Sequence, residues 1–182
     1  IGGNLGNASP SAEFAPPLLT LGASIECVGV SGARSIPIEE FFVAPGRSSL
    51  AQDEVVSEIV VPPPPDGAEG IYLKHSLRRM DVAMAAAAVL VVLDGDVCRE
   101  VRIALGAVAP TPFRAVKAEA ALRGQRLAGG TAEDELLDAV GQIASDESSP
   151  IDDIRGYAEY RRKVIKRLVA QGLGEVIARA RT

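Results

Sequence analysis

Four consecutive prolines, Pro62–Pro65, followed by Asp66-Gly67, constrain this chain more than any other feature. Each proline fixes its own φ and removes an amide donor, so neither a helix nor a central strand can run through them. Such a run acts as a stiff, extended spacer. It divides the chain into residues 1–65 and 66–182, and 182 residues at 47% hydrophobic suffice for one domain or two small ones.

Before the prolines, short apolar runs alternate with turn signals. Ser24 to Val30 reads as a strand, and Ser31-Gly32-Ala33 closes a hairpin onto Arg34–Ile38. Ile38–Phe42 reads as a short helical turn, and Asp53 to Val61 as another extended stretch. After the prolines, Ile71–Lys74 and Val82–Leu93 read as strands, and the turn Asp94-Gly95-Asp96 leads into a further strand, Val97–Leu105. The alanines Ala85–Ala88 favour helix, but Val89-Leu90-Val91-Val92 favours strand, and strand is chosen. Three helices follow. Thr111-Pro112 caps a helix running to Leu122 and stopping at Gly124; Thr131 caps a second with Leu136, Val140 and Ile143 on one face; a third runs from about Gly156, with Tyr157, Tyr160, Val164 and Leu168 at helical spacing. Strands followed by helices make an α+β fold, with a small antiparallel sheet packed by about three helices after the prolines.

A net charge of -5 and a pI near 5.0 offer no broad positive field to a phosphate backbone, which argues against nucleic acid. The apolar run Val82–Leu93, bounded by Arg78, Arg79 and Asp81, is short of the roughly 20 residues needed to span a bilayer. The chain opens with neither a methionine nor a secretory signal and reads as a fragment or processed product. Cys27 and Cys98 lack a second ligand at metal spacing and read as buried free thiols, with no zinc or iron–sulfur site encoded. Unpaired thiols fit a reducing, cytoplasmic setting. His75 has no Ser or Cys partner at a nucleophile motif, so it reads as a surface or satisfied histidine, and no catalytic residue is assigned. Asp152-Asp153 and Asp146-Glu147 read as helix-start or solvent-facing acids, and Arg161, Arg162, Lys163, Lys166 and Arg167 as a stripe that faces water or docks on a partner.

The opening segment, Ile1 to Glu13, concentrates glycines, amides and hydroxyls and should be a loop that exposes its backbone. Adjacent glycines admit a ligand close to the main chain, and successive N–H groups can cradle a pyrophosphate without a lysine. Asn4, Asn7 and Ser9 add neutral donors. The spacing is not the dinucleotide-binding G-x-G-x-x-G fingerprint, and no βαβ unit follows. As spacing alone, a plain turn remains the simpler reading.

The segment IGGNLGNASPSAEFAPPLL resembles the second FAD motif in the medium subunit of the molybdenum hydroxylases, the family of xanthine dehydrogenase and aerobic carbon monoxide dehydrogenase. DEVVSEIVVP, YLKHSLRRMDVAMAAAAV, RIALGAVAPTPFRA and DDIRGYAEYRRKV resemble later parts of that subunit in the same order. The resemblance implies that residues 1–65 form the second lobe of a two-lobed FAD-binding domain and residues 66–182 the C-terminal domain. It implies a subunit that passes electrons from iron–sulfur clusters through FAD to an external acceptor. The molybdenum cofactor and the [2Fe-2S] clusters belong to large and small partner subunits. By position, Ile1, Gly2, Gly3 and Asn4 would contact the pyrophosphate region of FAD, with Asn7 and Ser9 beside them. Glu13 would accept a hydrogen bond from a cofactor hydroxyl, in a place where the family usually has Asp. Val56 would touch the cofactor, and Lys74 would lie near the flavin. A cation at the flavin's pyrimidine end stabilises the anionic reduced form and raises its potential; a snorkelling surface lysine is the equal alternative for Lys74, and plain core the alternative for Val56.

The first FAD lobe of the family is not within the sequence, so this piece alone should bind FAD weakly or not at all. The competing functional reading is a cofactor-free assembly or interaction module that keeps the fold. A flavoenzyme acting directly on a bound substrate is a third, disfavoured by the lack of an acid–base pair near the motif.

Overall fold

A computed structural model describes residues 1–78 and 80–182; Arg79, one of the charges flanking the apolar run, lies outside the described residues. The chain runs α1 (Gly2–Gly6), α2 (Ala15–Leu21), β1 (Ser24–Gly29), β2 (Gly32–Pro37), α3 (Ile38–Phe41), β3 (Phe42–Ala44), β4 (Arg47–Ser48) and β5 (Val55–Val60). After the prolines come β6 (Ala68–His75), β7 (Ala85–Asp94), β8 (Val97–Gly106), β9 (Phe113–Arg114), α4 (Val116–Leu122), α5 (Gly130–Glu147) and α6 (Ala158–Ala180). The fold is α+β.

Strands β2-β1-β5 form one antiparallel sheet, β3-β4 a small ribbon, and β6-β7-β8-β9 an antiparallel sheet that organises the rest. The β1–β2 hairpin closes through Val30-Ser31, between the paired Gly29 and Gly32. The alanine-rich run is the central strand β7, and its composition follows from its position. Ala85, Ala87, Val89 and Val91 face the core built with α4, α5 and α6, while Ala86 and Ala88 face the opposite side, toward α2 and the N-terminal elements. A strand buried on both faces reads as a continuous apolar run rather than an alternating one. Small side chains also let helices sit close. A Cβ on Gly106 would lie 2.9 Å from Pro16 Cγ of α2, and one on Gly172 of α6 would lie 3.3 Å from Val89 Cγ2.

The first C-terminal helix begins at Val116, not at Thr111-Pro112. Phe113 and Arg114 pair instead with Leu105 and Ala104 as an edge strand, and Ala115 N–H continues that connection by donating to Ile103 C=O at 2.8 Å. The exposed amides of α4 are then capped from α5, where Glu147 accepts from Lys117 N–H at 3.1 Å and Ala118 N–H at 3.0 Å. Helix α5 has Gly129 rather than Thr131 at its N-cap, and its buried face centres on Leu137, Val140, Gly141 and Ala144. Helix α6 continues past Gly172, but Tyr157 and Tyr160 lie off its buried face, which runs through Arg161, Ile165, Val169, Gly172, Leu173, Val176 and Ile177. Asp152 does serve the helix start, accepting from Ala158 N–H at 2.6 Å.

Both cysteines are free and buried. Burial pushes the Cys98 thiol up to about 11 from an ordinary 9.0, and burial followed by the Glu54 carboxylate raises Cys27. The native state therefore favours the protonated thiols. Their contribution to stability is whole below the unfolded value near 9.0 and is lost as pH rises through about 11 for Cys98. Since the thiolate is the reactive form, iodoacetamide at neutral pH should leave both thiols unmodified in the folded protein and alkylate both after denaturation. Modification of either without unfolding would contradict this burial.

Candidate functional site

The opening segment is a helical turn and not a loop. Asn4 and Leu5 amides both close onto Ile1 C=O, at 2.9 and 3.2 Å, and Asn7 N–H reaches Gly3 C=O at 3.1 Å. Leu5, fully buried, anchors the turn in the N-terminal core. The helix ends at Gly6 with Asn7 as its C-cap; the next residue, Ala8, has a left-handed φ of 45°, and its C=O accepts from Gly46 N–H at 2.9 Å in the β3–β4 turn. Pro10 C=O then accepts from Ala107 N–H at 2.8 Å, tying the segment to the end of β8.

Three glycines in a five-residue helix work against it, because each costs about 1 kcal/mol relative to alanine. Gly2, Gly3 and Gly6 do not have the positive φ that would demand glycine, and among the described residues nothing lies within 4 Å of where a Cβ would stand on any of them. Neither backbone conformation nor internal packing accounts for them. They leave an open strip of main chain that a large group can approach.

Asn4 and Ser9 are partly committed to the turn itself. Asn4 Oδ1 accepts from Phe14 N–H at 3.3 Å, leaving its amide nitrogen as donor, and Ser9 Oγ accepts from Ser11 N–H at 3.2 Å. Asn7 is exposed, as is Ile1. The Asn4–Phe14 bond draws the start of α2 onto α1 and thereby places Glu13. Glu13 meets Lys74 from β6: Lys74 Nζ donates to Glu13 Oε1 at 2.8 Å and to Asp81 C=O at 3.1 Å. Residues 61 apart in sequence are thus joined. Two residues earlier on the same face of β6, the Tyr72 hydroxyl is buried without a partner among the described residues. Burial first, then the Glu13 carboxylate, holds that phenol above the ordinary tyrosine range. Val56 stands on β5, opposite Cys27, and packs its half-buried side chain against the N-terminal core; β5 itself lies beside α1.

His75, next to Lys74, is held by Tyr160 of α6, with Nε2 and the tyrosine oxygen 3.0 Å apart, and is a satisfied histidine. A cavity of 420 Å³ opens beside Ser9 and Pro10, walled also by Val82, Ala107, Ile151 and Arg161. Arg161 leaves the solvent-facing stripe to which the sequence assigned it. It is 5% exposed, bonded to Asp153 Oδ1 at 2.5 Å and Ala107 C=O at 3.0 Å. Burial alone would raise the Asp153 pKa, but the Arg155 amide and then the Arg161 guanidinium outweigh it and hold the carboxyl below the usual range. Arg161 was legible as a core position, four residues before Ile165 and eight before Val169. No group of acids, histidines and cysteines suited to a metal is present among the described residues, and no described helix is long and apolar enough to cross a membrane.

The family model described as the FAD binding domain in molybdopterin dehydrogenase matches residues 1–64, and the one described as the CO dehydrogenase flavoprotein C-terminal domain matches residues 71–176. The chain is 33% identical over 176 residues to the glyceraldehyde dehydrogenase medium chain of Sulfolobus acidocaldarius, covering 97% of this chain and 60% of that one. It is 32% identical over 181 residues to the carbon monoxide dehydrogenase medium chain of Afipia carboxidovorans, covering 100% and 61%. Among solved structures, a carbon monoxide dehydrogenase from Hydrogenophaga pseudoflava superposes with a TM-score of 0.91 at 31% identity, covering 98% of this chain and 60% of that one. The chain therefore spans about three fifths of the length of these relatives. Both halves of the chain match the same kind of subunit, in the same order, and the chain belongs to the FAD-binding medium-subunit family of the molybdenum hydroxylases.

Proposed function

We propose that residues 1–65 are the second lobe of an FAD-binding domain and residues 66–182 the C-terminal domain of a flavoprotein subunit, working in the cytoplasm beside a molybdenum-binding large subunit and an iron–sulfur small subunit. The chemistry that bound FAD supplies there is electron transfer from the iron–sulfur clusters to an external acceptor. The observation that carries the reading is the open glycine strip of α1, a helix that gives up stability to keep its main chain approachable.

In this reading the strip Ile1–Asn4 takes the pyrophosphate region, with Asn7 and Ser9 at its margin. Glu13 offers its second carboxylate oxygen to a cofactor hydroxyl. Lys74 brings a cation to the flavin, and Val56 backs the cofactor with apolar surface. A Cβ on Gly2 or Gly3 would stand in open space, in the path of a group approaching that main chain.

Two substitutions test this. Gly3→Ala should hold or raise thermal stability, because it improves helix propensity and meets no neighbour. Gly3→Val should likewise leave the fold standing, yet weaken FAD binding in the protein from its native source by roughly tenfold or more, equivalent to about 1.4 kcal/mol. Unchanged FAD affinity in Gly3→Val, measured by titration, would remove the pyrophosphate from α1.

A further inference from the structure

We propose that Glu13 is a positioning residue: it fixes where Lys74 places its charge, so that the flavin potential is set by the pair and not by the lysine alone. This rests on the flavin reading above. An unrestrained lysine side chain carries about 2 kcal/mol of rotamer entropy and would wander. Lys74 is instead held by two acceptors, Glu13 Oε1 at 2.8 Å and Asp81 C=O at 3.1 Å, with its side chain 20% exposed. Glu13 is itself placed by hydrogen bonds of the amides on either side, Ala12 N–H donating to Ser9 C=O at 2.9 Å and Phe14 N–H to the Asn4 side-chain oxygen at 3.3 Å. The helix α2, with Pro16 and Pro17 in its first turn, follows immediately.

A pair this accessible, with Glu13 39% exposed, adds at most about 1 kcal/mol to stability. Placement is the larger consequence. A fixed cation near the flavin favours its anionic reduced form, and a carboxylate in contact with that cation limits how far it can move and how much of its field the flavin receives. The glycine motif and β6 are thereby coupled through one ion pair.

The experiment uses the FAD-loaded protein from its native source and the variants Glu13→Gln, Lys74→Met and the double variant, with flavin midpoint potentials measured by dye-coupled reduction. Lys74→Met should lower the potential and Glu13→Gln should raise it. The rise should shrink to roughly half or less when Glu13→Gln is made on Lys74→Met. An equal rise in both backgrounds would mean that Glu13 acts on the flavin directly, and no change with flavin retained would mean that the pair does not reach it; either overturns the proposal. A second measurement does not depend on the flavin. The labelling rate of Lys74 by an amine-reactive reagent, read by peptide mass spectrometry on FAD-free protein, should rise severalfold in Glu13→Gln. An unchanged rate overturns the positioning role even if Glu13→Gln releases the cofactor. If no form of the protein binds FAD, the flavin reading fails, while the labelling result still judges the Glu13–Lys74 coupling.

Discussion

Replacing Glu119 by alanine is expected to cost the protein of order 3–5 kcal/mol, the range for breaking one side of a buried ion pair. Glu119 is 2% exposed and serves three donors. Its Oε1 accepts from Ile103 N–H and Arg114 Nε, both at 2.9 Å, and its Oε2 accepts from an Arg114 terminal nitrogen at 2.7 Å. The Ile103 bond matters most, because β9 pairs only with Ala104 and Leu105 and leaves that amide without a strand partner. A side chain from α4 completes the ladder where the backbone stops. At about 2–4 °C per kcal/mol for a chain of this size, calorimetry should show a fall in Tm of roughly 10 °C. Glu119→Gln, which keeps the shape but loses the charge, should fall between wild type and alanine. Replacing both Glu119 and Arg114 with leucine should be milder than Glu119→Ala, since the guanidinium is then not left unpaired, although the Ile103 amide still loses its acceptor. A loss below about 1 kcal/mol in Glu119→Ala would show that the pair is not sequestered.

The second large effect is at Gly141, where α5 crosses α6. A Cβ there would run into the Lys166 carbonyl oxygen, and that obstacle is backbone, not a flexible side-chain tip. In an isolated helix Gly→Ala gains about 1 kcal/mol. Here the sign should reverse, with Gly141→Ala costing about 1–3 kcal/mol or more as the two helices separate and lose contact along Leu137, Ile165 and Val169. Urea denaturation of the variant decides between these signs. A stabilised Gly141→Ala would mean the helices part without penalty and that their close approach is not what holds the C-terminal layer.

Much of this architecture was legible because local chemistry and tertiary environment agree. The Ser24–Ile38 hairpin, the short helix at Ile38 and the β7–β8 turn at Asp94-Gly95-Asp96 all follow from residues that leave few options. The places where sequence reasoning fails share a different cause: a distant partner decides. Thr111-Pro112 has the chemistry of a helix start, but the amides of α4 are capped by Glu147, some thirty residues away, and Arg114 is held in the edge strand by Glu119. The glycines of the opening segment suggest a loop, but the buried Leu5 side chain pins it as a helix.

The candidate site divides the same way. Glycine content marked Ile1–Glu13, and only the family resemblance marked Val56 and Lys74; in the structure Asn4 holds the Phe14 amide beside Glu13, Glu13 pairs with Lys74, and Val56 lies on the strand beside α1. What periodicity could not reveal is that Asn4 and Glu13 are partly engaged within the protein. Asn4 spends its acceptor on Phe14, and Glu13 spends one oxygen on Lys74. Arg161 sits among basic neighbours that face solvent, while its spacing from Ile165 and Val169 places it on the buried face.

The most direct measurement is the visible absorption spectrum of the protein isolated from its native source, with chromatography of whatever cofactor denaturation releases. Flavin bands and release of FAD in a ratio near one per chain are expected. A colourless protein that takes up no FAD when the cofactor is added would contradict the flavin reading, and would leave the glycine strip of α1 without the ligand that explains it.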